Sequence, residues 1–325
     1  MRVSEEPCRV GVLDVGCFSA HLVVVDRHEG SLLHPVLSHK VRLRLDQALD
    51  SSGEISPAGM AGVAAAVGQA QQAVRRAGVS TVVPFATSVI RDATNAAEVV
   101  DVVAARTGVE LRTLSGAQEA RLSYLAARNW FGWSAGALTV LDVGGGTVEM
   151  AVGEGTEPVA AHSLPLGART LTRQWESEKL TGKRLRRTTA DLVRMINADL
   201  PAGLPDGARC RAVGCSKVFQ QLARMTGARA QRDGLFVARQ LRAADLEKWI
   251  PRLAKLPAAE RARLPGISEH RAHQSLAGAI AARALMEATG HDVVDICPWS
   301  TREGLLITLL EQPPRHAGGG LVAVA

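Results

Sequence analysis

Short apolar runs and amphipathic stretches alternate along this chain, and two of the apolar pairs repeat. Residues 9–13 and 21–25 are apolar runs joined by a short turn of small, glycine- and hydroxyl-bearing residues. Residues 137–141 and 148–152 form a second pair of the same kind. Two such runs closed by a short turn predict a β-hairpin. The openings of the two hairpins are identical: Val12-Leu13-Asp14-Val15-Gly16 recurs, 128 residues later, as Val140-Leu141-Asp142-Val143-Gly144. A repeat of this kind predicts a duplicated domain with one phosphate-sized loop in each half.

Between and after the hairpins, strands alternate with helices. Residues 55–74 place Met60, Val63, Val67 and Val74 at helical spacing, and residues 81–86 form a β-rich run. Asn95-x-x-Glu98 and Ser115-x-x-Gln118 carry capping-box patterns, the second before Leu122 and Leu125, with a short strand at 110–114 between them. In the second half, helices are predicted over 189–200, 216–225, 241–253 and 271–289, with a strand at 211–213 and a charged connector at 251–265. This alternation predicts α/β layers with partly parallel sheets. The chain boundary is expected near 129–136, giving domains 1–130 and 131–312 and a flexible tail at 313–325.

Composition narrows the class. A chain of 325 residues is long enough for two domains of about 150 residues each. With 46% hydrophobic and 22% charged residues it has the balance of a globular protein. Aromatics make up only 3%, so the core must rest on Val, Leu and Ala, and platforms for stacking single-stranded nucleic acid are few. A net charge of +6 can attract a polyanion without demanding nucleic acid. The five cysteines, Cys8, Cys17, Cys210, Cys215 and Cys297, have neither metal-ligand nor redox-pair spacing and are expected as reduced thiols. Residues 1–9 hold no apolar signal core, and 55–74 reads as an amphipathic helix rather than a span, so a soluble, cytoplasmic protein with no membrane contact is expected.

The candidate chemistry lies in acids beside glycine turns. Gly144, Gly145 and Gly146, followed by Thr147, allow backbone N–H groups to surround an anion. Asp142, at the end of the preceding strand, could hold a hard cation near the same oxygens. The same reasoning marks Asp14, Gly16 and Ser19 in the first hairpin. Glu119, in the first turn of a helix, serves either the helix dipole or a water molecule as general base. Arg91, after a strand end, could place its guanidinium on phosphate. Gly214 and Ser216 form a third strand-to-helix turn, able to bind an anion or simply to cap the helix. Lys179, Lys183, Arg184, Arg186 and Arg187 are a solvated basic face or a grip on a long anion. His270-x-x-His273 has no acidic or cysteine partner at useful spacing, and no Walker A lysine loop, GxGxxG or GxSxG is present.

Taken together, GVLDVGCFSAHLVVVD, FATSVIRDATN, LSGAQEARL, LDVGGGTVEM, LPLGA, AVGCSK and ICPWSTREGL resemble the Ppx/GppA phosphatase family, in particular its short actinobacterial exopolyphosphatase-like branch. The resemblance implies an α/β fold of two ribonuclease-H-like (actin-like, ASKHA) domains flanking a phosphate-binding cleft. It implies Mg²⁺-assisted hydrolysis of the terminal phosphoryl group of inorganic polyphosphate, releasing orthophosphate. By the same match Glu119 is the catalytic base, Arg91 a phosphate-contacting arginine, and Asp142 and Glu149 metal-linked acids. Gly144, Gly145, Gly146 and Thr147, with Asp14, Gly16 and Ser19, are the two phosphate loops, and Gly214 and Ser216 a further one.

Guanosine pentaphosphate hydrolysis is an alternative of the same class, and a non-catalytic protein that binds polyphosphate or guanosine tetra- and pentaphosphate is one of another class. A homodimer is left open. Against a sugar or acetate kinase of the same fold stands the position of Glu119 in an SGxxEA helix start. The chain departs from the family's first loop, D-x-G-S-N-S/T, at Cys17 and Phe18, which removes a hydroxyl and an amide and is expected to turn an apolar ring toward the anion.

Overall fold

A computed structural model describes residues 9–26, 33–79, 81–176, 180–200 and 210–311. Cys8, Lys179 of the basic run and the expected tail at 313–325 lie outside the described residues. The chain divides into two compact units, one made of the segment up to Ser115 together with the segment from Arg302 onward, the other of Gly116–Thr301.

The first unit is built on a sheet of order β3-β2-β1-β4-β5, formed by Pro35–Arg42 (β3), Ser19–Asp26 (β2), Arg9–Val15 (β1), Thr81–Ala86 (β4) and Arg112–Thr113 (β5). β1, β2 and β3 are antiparallel, whereas β4 runs parallel to β1 and β5 parallel to β4. Alternation along each strand sorts the side chains between two cores. Leu13, Val15, Leu22, Val24 and Val82 pack with Val63 and Val67 of helix Pro57–Arg76 and with Val99 and Val103 of helix Ala96–Thr107. Val10, Val12, Val23, Val83 and Phe85 face the other way, toward Leu306 and Leu309 of helix Thr301–Glu311. Asp14 shares the parity of Val10 and Val12, so it belongs to the face that this last helix covers.

The second unit repeats the scheme and adds a strand. Its order is β10-β11-β9-β6-β7-β8, with Leu138–Val143 (β6), Val148–Gly153 (β7), Ala160–Leu164 (β8), Arg211–Gly214 (β9), Gln240–Arg242 (β10) and Val293–Ile296 (β11). β6, β7 and β8 are antiparallel, and β9 is parallel to β6, as β4 is to β1. Leu141, Val143, Val148 and Met150 face a core that includes the alanine-rich helix Ser275–Ala288. Asp142 and Glu149 have the opposite parity, on the face where helix Gly116–Phe131 lies. Both sheets therefore have the ribonuclease-H-like order, and the duplication read from the repeated pentapeptide is present in the fold.

Several local expectations are corrected. The helix Gly116–Phe131 groups with the second unit, so the division falls at Ser115 rather than near 129–136. It does so because its apolar face packs on β6, β7 and β8, and because the buried Arg128 (3% exposed) donates to the carbonyls of Gly132, Gly136 and Gly153. The Asn95 side chain does not cap its helix; it accepts from the Ile55 amide at 2.9 Å and donates to the Ile55 carbonyl at 3.0 Å. Helix Ala243–Lys255 continues through Pro251, so the connector is shorter than expected, and Leu241 belongs to β10. The helix expected at 189–200 spans Gly182–Asp199 and takes in the basic residues from Lys183 to Arg187. Among the described residues no helix is long and apolar enough to cross a membrane.

Candidate active site

In the second unit, strand register brings the acids together. Asp142 and Glu149 are directly opposite across the β6–β7 hairpin, and Ser163 on β8 is opposite Glu149. Directly opposed side chains lie about 4.5–5.5 Å apart at Cβ, so two carboxylates at such a pair repel. Glu119 joins them because its helix can approach β8 closely at Gly116. A Cβ on Gly116 would fall 2.2 Å from the Ser163 Cβ and Oγ. Glu149 is only 4% exposed and Glu119 9%. Burial, then the charge of Glu119, then that of Asp142, hold the Glu149 carboxyl well above the usual range. Hydroxyls of Ser163, donating to Glu149 Oε1 at 2.9 Å, and of Thr147 act in the opposite direction.

Asp142 is pushed up to about 6, mainly by burial, against the pull of the Ser216 hydroxyl and the charge of Arg271. Its ionised form is thus disfavoured in the folded protein, and the sign of the pH effect follows. Stability is lost as pH rises through about 6, where the folded protein must give up a proton that the unfolded chain has already released. Asp142→Asn is therefore expected to raise the melting temperature of the metal-free protein at pH 7.5, and to keep only part of that advantage at pH 5, between the unfolded and folded values. Scanning calorimetry at the two pH values checks it; a lower melting temperature at pH 7.5 would contradict it.

The glycine loop beside these acids is held from one side. Gly144 N donates to Thr147 O at 2.9 Å and closes the turn. The next segment then takes up the loop carbonyls: Ala168 N bonds Gly144 O (2.9 Å), Arg169 N bonds Gly145 O (2.8 Å), and Gly167 N and Thr170 Oγ1 bond Gly146 O (3.0 and 2.9 Å). In a trans peptide the C=O of one residue and the N–H of the next point in opposite directions. With three successive carbonyls turned toward helix Ala168–Gln174, the amides of Gly145, Gly146 and Thr147 all turn away from it. None of these amides meets a backbone acceptor among the described residues. Successive co-directed amides of this kind form an anion-binding concavity. Gly167 sets the geometry, since a Cβ there would lie 2.4 Å from Gly146 C and 2.5 Å from both Gly145 O and Thr147 N.

Ser216 and Gly214 support the acids. Ser216 caps helix Lys217–Met225 by accepting from Phe219 N, accepts from Val143 N at 3.1 Å, and hydrogen-bonds Asp142. Its hydroxyl thus joins β6 to the helix behind it. A Cβ on Gly214 would meet the Phe219 ring at 2.6 Å. Removing a capping hydroxyl costs about 1–2 kcal/mol. Ser216→Ala should lower stability by that amount in denaturant unfolding and push the Asp142 carboxyl further up; unchanged stability would deny Ser216 this joining role.

The first unit carries the matching turn. Gly16 N donates to Ser19 O at 2.9 Å, the counterpart of Gly144 and Thr147. Asp14 is raised to about 6 by burial, while Arg302 pulls it down and Glu303 pushes it up. Arg302 Nη1 donates to His21 Nδ1 at 2.8 Å, and His21 Nε2 then donates to Ser38 Oγ at 2.9 Å. Burial and the charges of Arg302 and Lys40 lower His21 to about 4, so it is neutral at pH 7. Arg91 ends helix Ser88–Arg91; its Nε and Nη2 bond Asp92 and its Nη1 bonds Leu114 O at 2.9 Å.

The expectation for Phe18 is corrected, because its ring is buried (8% exposed) and not presented to an anion. The segment is pinned by Leu43 N to Phe18 O and Leu45 N to Cys17 O, both 2.9 Å. Burying such a ring is worth about 1.5–3 kcal/mol.

Arg302, Glu303, Ser163, Arg271 and Arg169 were not singled out from the sequence. Arg302 and Glu303 had a signal, as they sit in the ICPWSTREGL segment that carries the family likeness. Ser163 and Arg271 had none, since only strand pairing and the helical packing bring them to the acids.

Comparison with known proteins places this geometry in a family. The model of the Ppx/GppA phosphatase family matches residues 23–313. Exopolyphosphatase 1 of Mycobacterium tuberculosis is 43% identical over 311 residues, covering 93% of this chain and 88% of that protein. The crystal structure of the Aquifex aeolicus Ppx/GppA family member superposes with a TM-score of 0.78 at 23% identity, over 94% of this chain and 98% of its own. An exopolyphosphatase from Cytophaga hutchinsonii gives 0.77 at 20% identity, over 93% and 98%. At these identities the two structures bear on the fold, while the family match and the mycobacterial relative span most of the sequence. With its doubled ribonuclease-H-like sheets, its glycine loops and its buried acids, the chain belongs to the Ppx/GppA phosphatase family.

Proposed function

We propose that this protein is an exopolyphosphatase, removing the terminal phosphoryl group of inorganic polyphosphate as orthophosphate. The observation that carries the reading is the pairing, within one unit, of three co-directed amides at Gly145, Gly146 and Thr147, which meet no backbone acceptor among the described residues, with the buried acids Glu119, Asp142 and Glu149. The amides suit the non-bridging oxygens of a phosphoryl group, and an acid beside them suits a water molecule. The mycobacterial relative named exopolyphosphatase 1 supports the choice of polymer.

Glu119 is the proposed base. It would orient a water and take its proton as the water oxygen forms a bond to the terminal phosphorus. The bridging P–O bond breaks, and the shortened chain leaves as an anion. Catalysis of this reaction is mostly positioning and charge stabilisation. In the first unit, Asp14, Gly16, Ser19 and Arg91 are assigned to phosphate contacts, and Gly214 and Ser216 act through the placement of Asp142.

The donor set also fits a hard divalent cation such as Mg²⁺. Asp142 and Glu149 are oxygen donors whose mutual repulsion a cation would relieve. Mg²⁺ commonly binds through one or two carboxylates plus substrate phosphates, a role that Asp142 and Glu149 could fill. When bound, the ion would neutralise charge developing on the transferred group.

The test is orthophosphate release from short and long polyphosphate and from guanosine pentaphosphate, with Mg²⁺ and with chelator. Release from polyphosphate that chelator abolishes is expected. Faster release from guanosine pentaphosphate would move the assignment to the nucleotide, and silence with polyphosphate still bound would make the protein a binder.

A further inference from the structure

Arg169 stands out among the buried groups of the second unit. It is the second residue of helix Ala168–Gln174 and only 8% exposed. Its backbone N–H holds Gly145 O at 2.8 Å, and its guanidinium lies over the same residue, with Nη1 3.1 Å from where a Gly145 Cβ would be. Among the described residues no carboxylate pairs with it, and no acceptor meets its side chain. The other buried arginine, Arg128, donates from Nη1 and Nη2 to three carbonyls and the Tyr124 hydroxyl, and only its Nε lacks an acceptor among the described residues. The mostly buried Arg302 and Arg283 form ion pairs, with Glu303 and with Glu247 and Glu287. A buried charge is kept by a protein when something compensates it. Here none of the described residues supplies that partner, and the guanidinium nitrogens, which are not among the fully buried unpartnered atoms, stay open to an incoming ligand.

We infer that Arg169 is a phosphate-binding residue, whose guanidinium completes the anion site of the Gly145–Thr147 amides by pairing with a phosphoryl group of the substrate chain. The inference rests on the assignment of that loop to phosphate and adds a charge to it. Three amides supply partial dipoles only, whereas a guanidinium supplies a full charge and two parallel donors matched to two phosphoryl oxygens. The position also links recognition to loop shape. The same residue that would touch the anion holds the Gly145 carbonyl through its backbone, so side chain and loop are aimed by one short turn. Lack of a side chain at Gly145 is what leaves room for the guanidinium.

The experiment is a thermal-shift and calorimetric titration of the full chain with tripolyphosphate, comparing wild type, Arg169→Met and Arg169→Lys, in parallel with steady-state phosphate release. Arg169→Met should leave the ligand-free melting temperature unchanged or raised, because an uncompensated buried charge is gone. Its tripolyphosphate affinity should fall about 10- to 100-fold, the size expected for a charge-assisted hydrogen bond. KM should rise accordingly, and Arg169→Lys should recover part of the loss.

A lower ligand-free melting temperature with unchanged affinity would make Arg169 a structural residue and overturn the inference while leaving the functional reading intact. Wild type that is not bound by tripolyphosphate at all would remove both. Should Arg169→Met not fold, Arg169→Lys decides: wild-type affinity and KM in that variant would count against a bidentate contact.

Discussion

Glu119→Gln should lower polyphosphate hydrolysis by about 10²–10⁴-fold, the usual contribution of a positioned general base, with tripolyphosphate binding retained. The substitution keeps shape and hydrogen-bonding length and removes only the ability to accept a proton. It also removes one of the two charges that push the Glu149 carboxyl upward, so the folded protein should be no less stable than wild type. Single-turnover phosphate release, binding calorimetry and a melting curve check the three parts separately. Hydrolysis within a few fold of wild type would pass the role of base to another group, with Glu149 the nearest acid by register and charge. Loss of binding together with activity would instead make Glu119 a residue of the loop's architecture.

Gly167→Ala should be nearly as damaging, for a mechanical reason. The added methyl would sit 2.4–2.5 Å from three backbone atoms of the Gly145–Thr147 segment. Backbone cannot yield as a flexible side chain can, so the loop must shift and its amides lose their common direction. Overpacking of this kind costs about 1–3 kcal/mol. We expect destabilisation in that range by urea unfolding and loss of tripolyphosphate binding. Gly62→Ala is the matched control, since nothing lies within 4 Å of a Cβ there and the residue is inside helix Pro57–Arg76. It should be neutral or stabilising by up to about 1 kcal/mol. Equal behaviour of the two variants would show that Gly167 does not set the loop.

The pH dependence of activity follows from the same acids and runs opposite to that of stability. Asp14 and Asp142 both titrate near 6 in the folded protein, and a protonated carboxyl is a poor ligand for a cation. Activity is expected to fall as pH drops through about 6, while the metal-free fold gains stability over the same interval.

The duplication, the strand-turn-strand loops and the acids beside them were legible in the chain because they are local. A five-residue repeat, a run of three glycines and short apolar runs joined by a turn depend on neighbours in sequence, and each appeared in the fold as expected. Helix Pro57–Arg76 was equally clear from its spacing, and Ser56 caps it as the pattern requires. The strands β3, β8, β10 and β11 were not legible. β3 carries polar residues and is half exposed, and β8, β10 and β11 are three to five residues long. Their strand character comes from partners already in place.

The sequence by itself determined the family, the doubled α/β plan and which residues could do chemistry, since those follow from local pattern and motif. Only the tertiary structure decided which of them meet. Register set Glu149 against both Asp142 and Ser163, the absence of a side chain at Gly116 let Glu119 approach, and the turn at Gly167 aimed the loop amides. Phe18 turned inward, and Arg169, one arginine among many in the sequence, became a buried charge with no partner among the described residues. The reason is physical: burial, repulsion and hydrogen-bond satisfaction are properties of neighbours in space. Strand pairing and close backbone approach, acting between segments far apart in the chain, choose those neighbours.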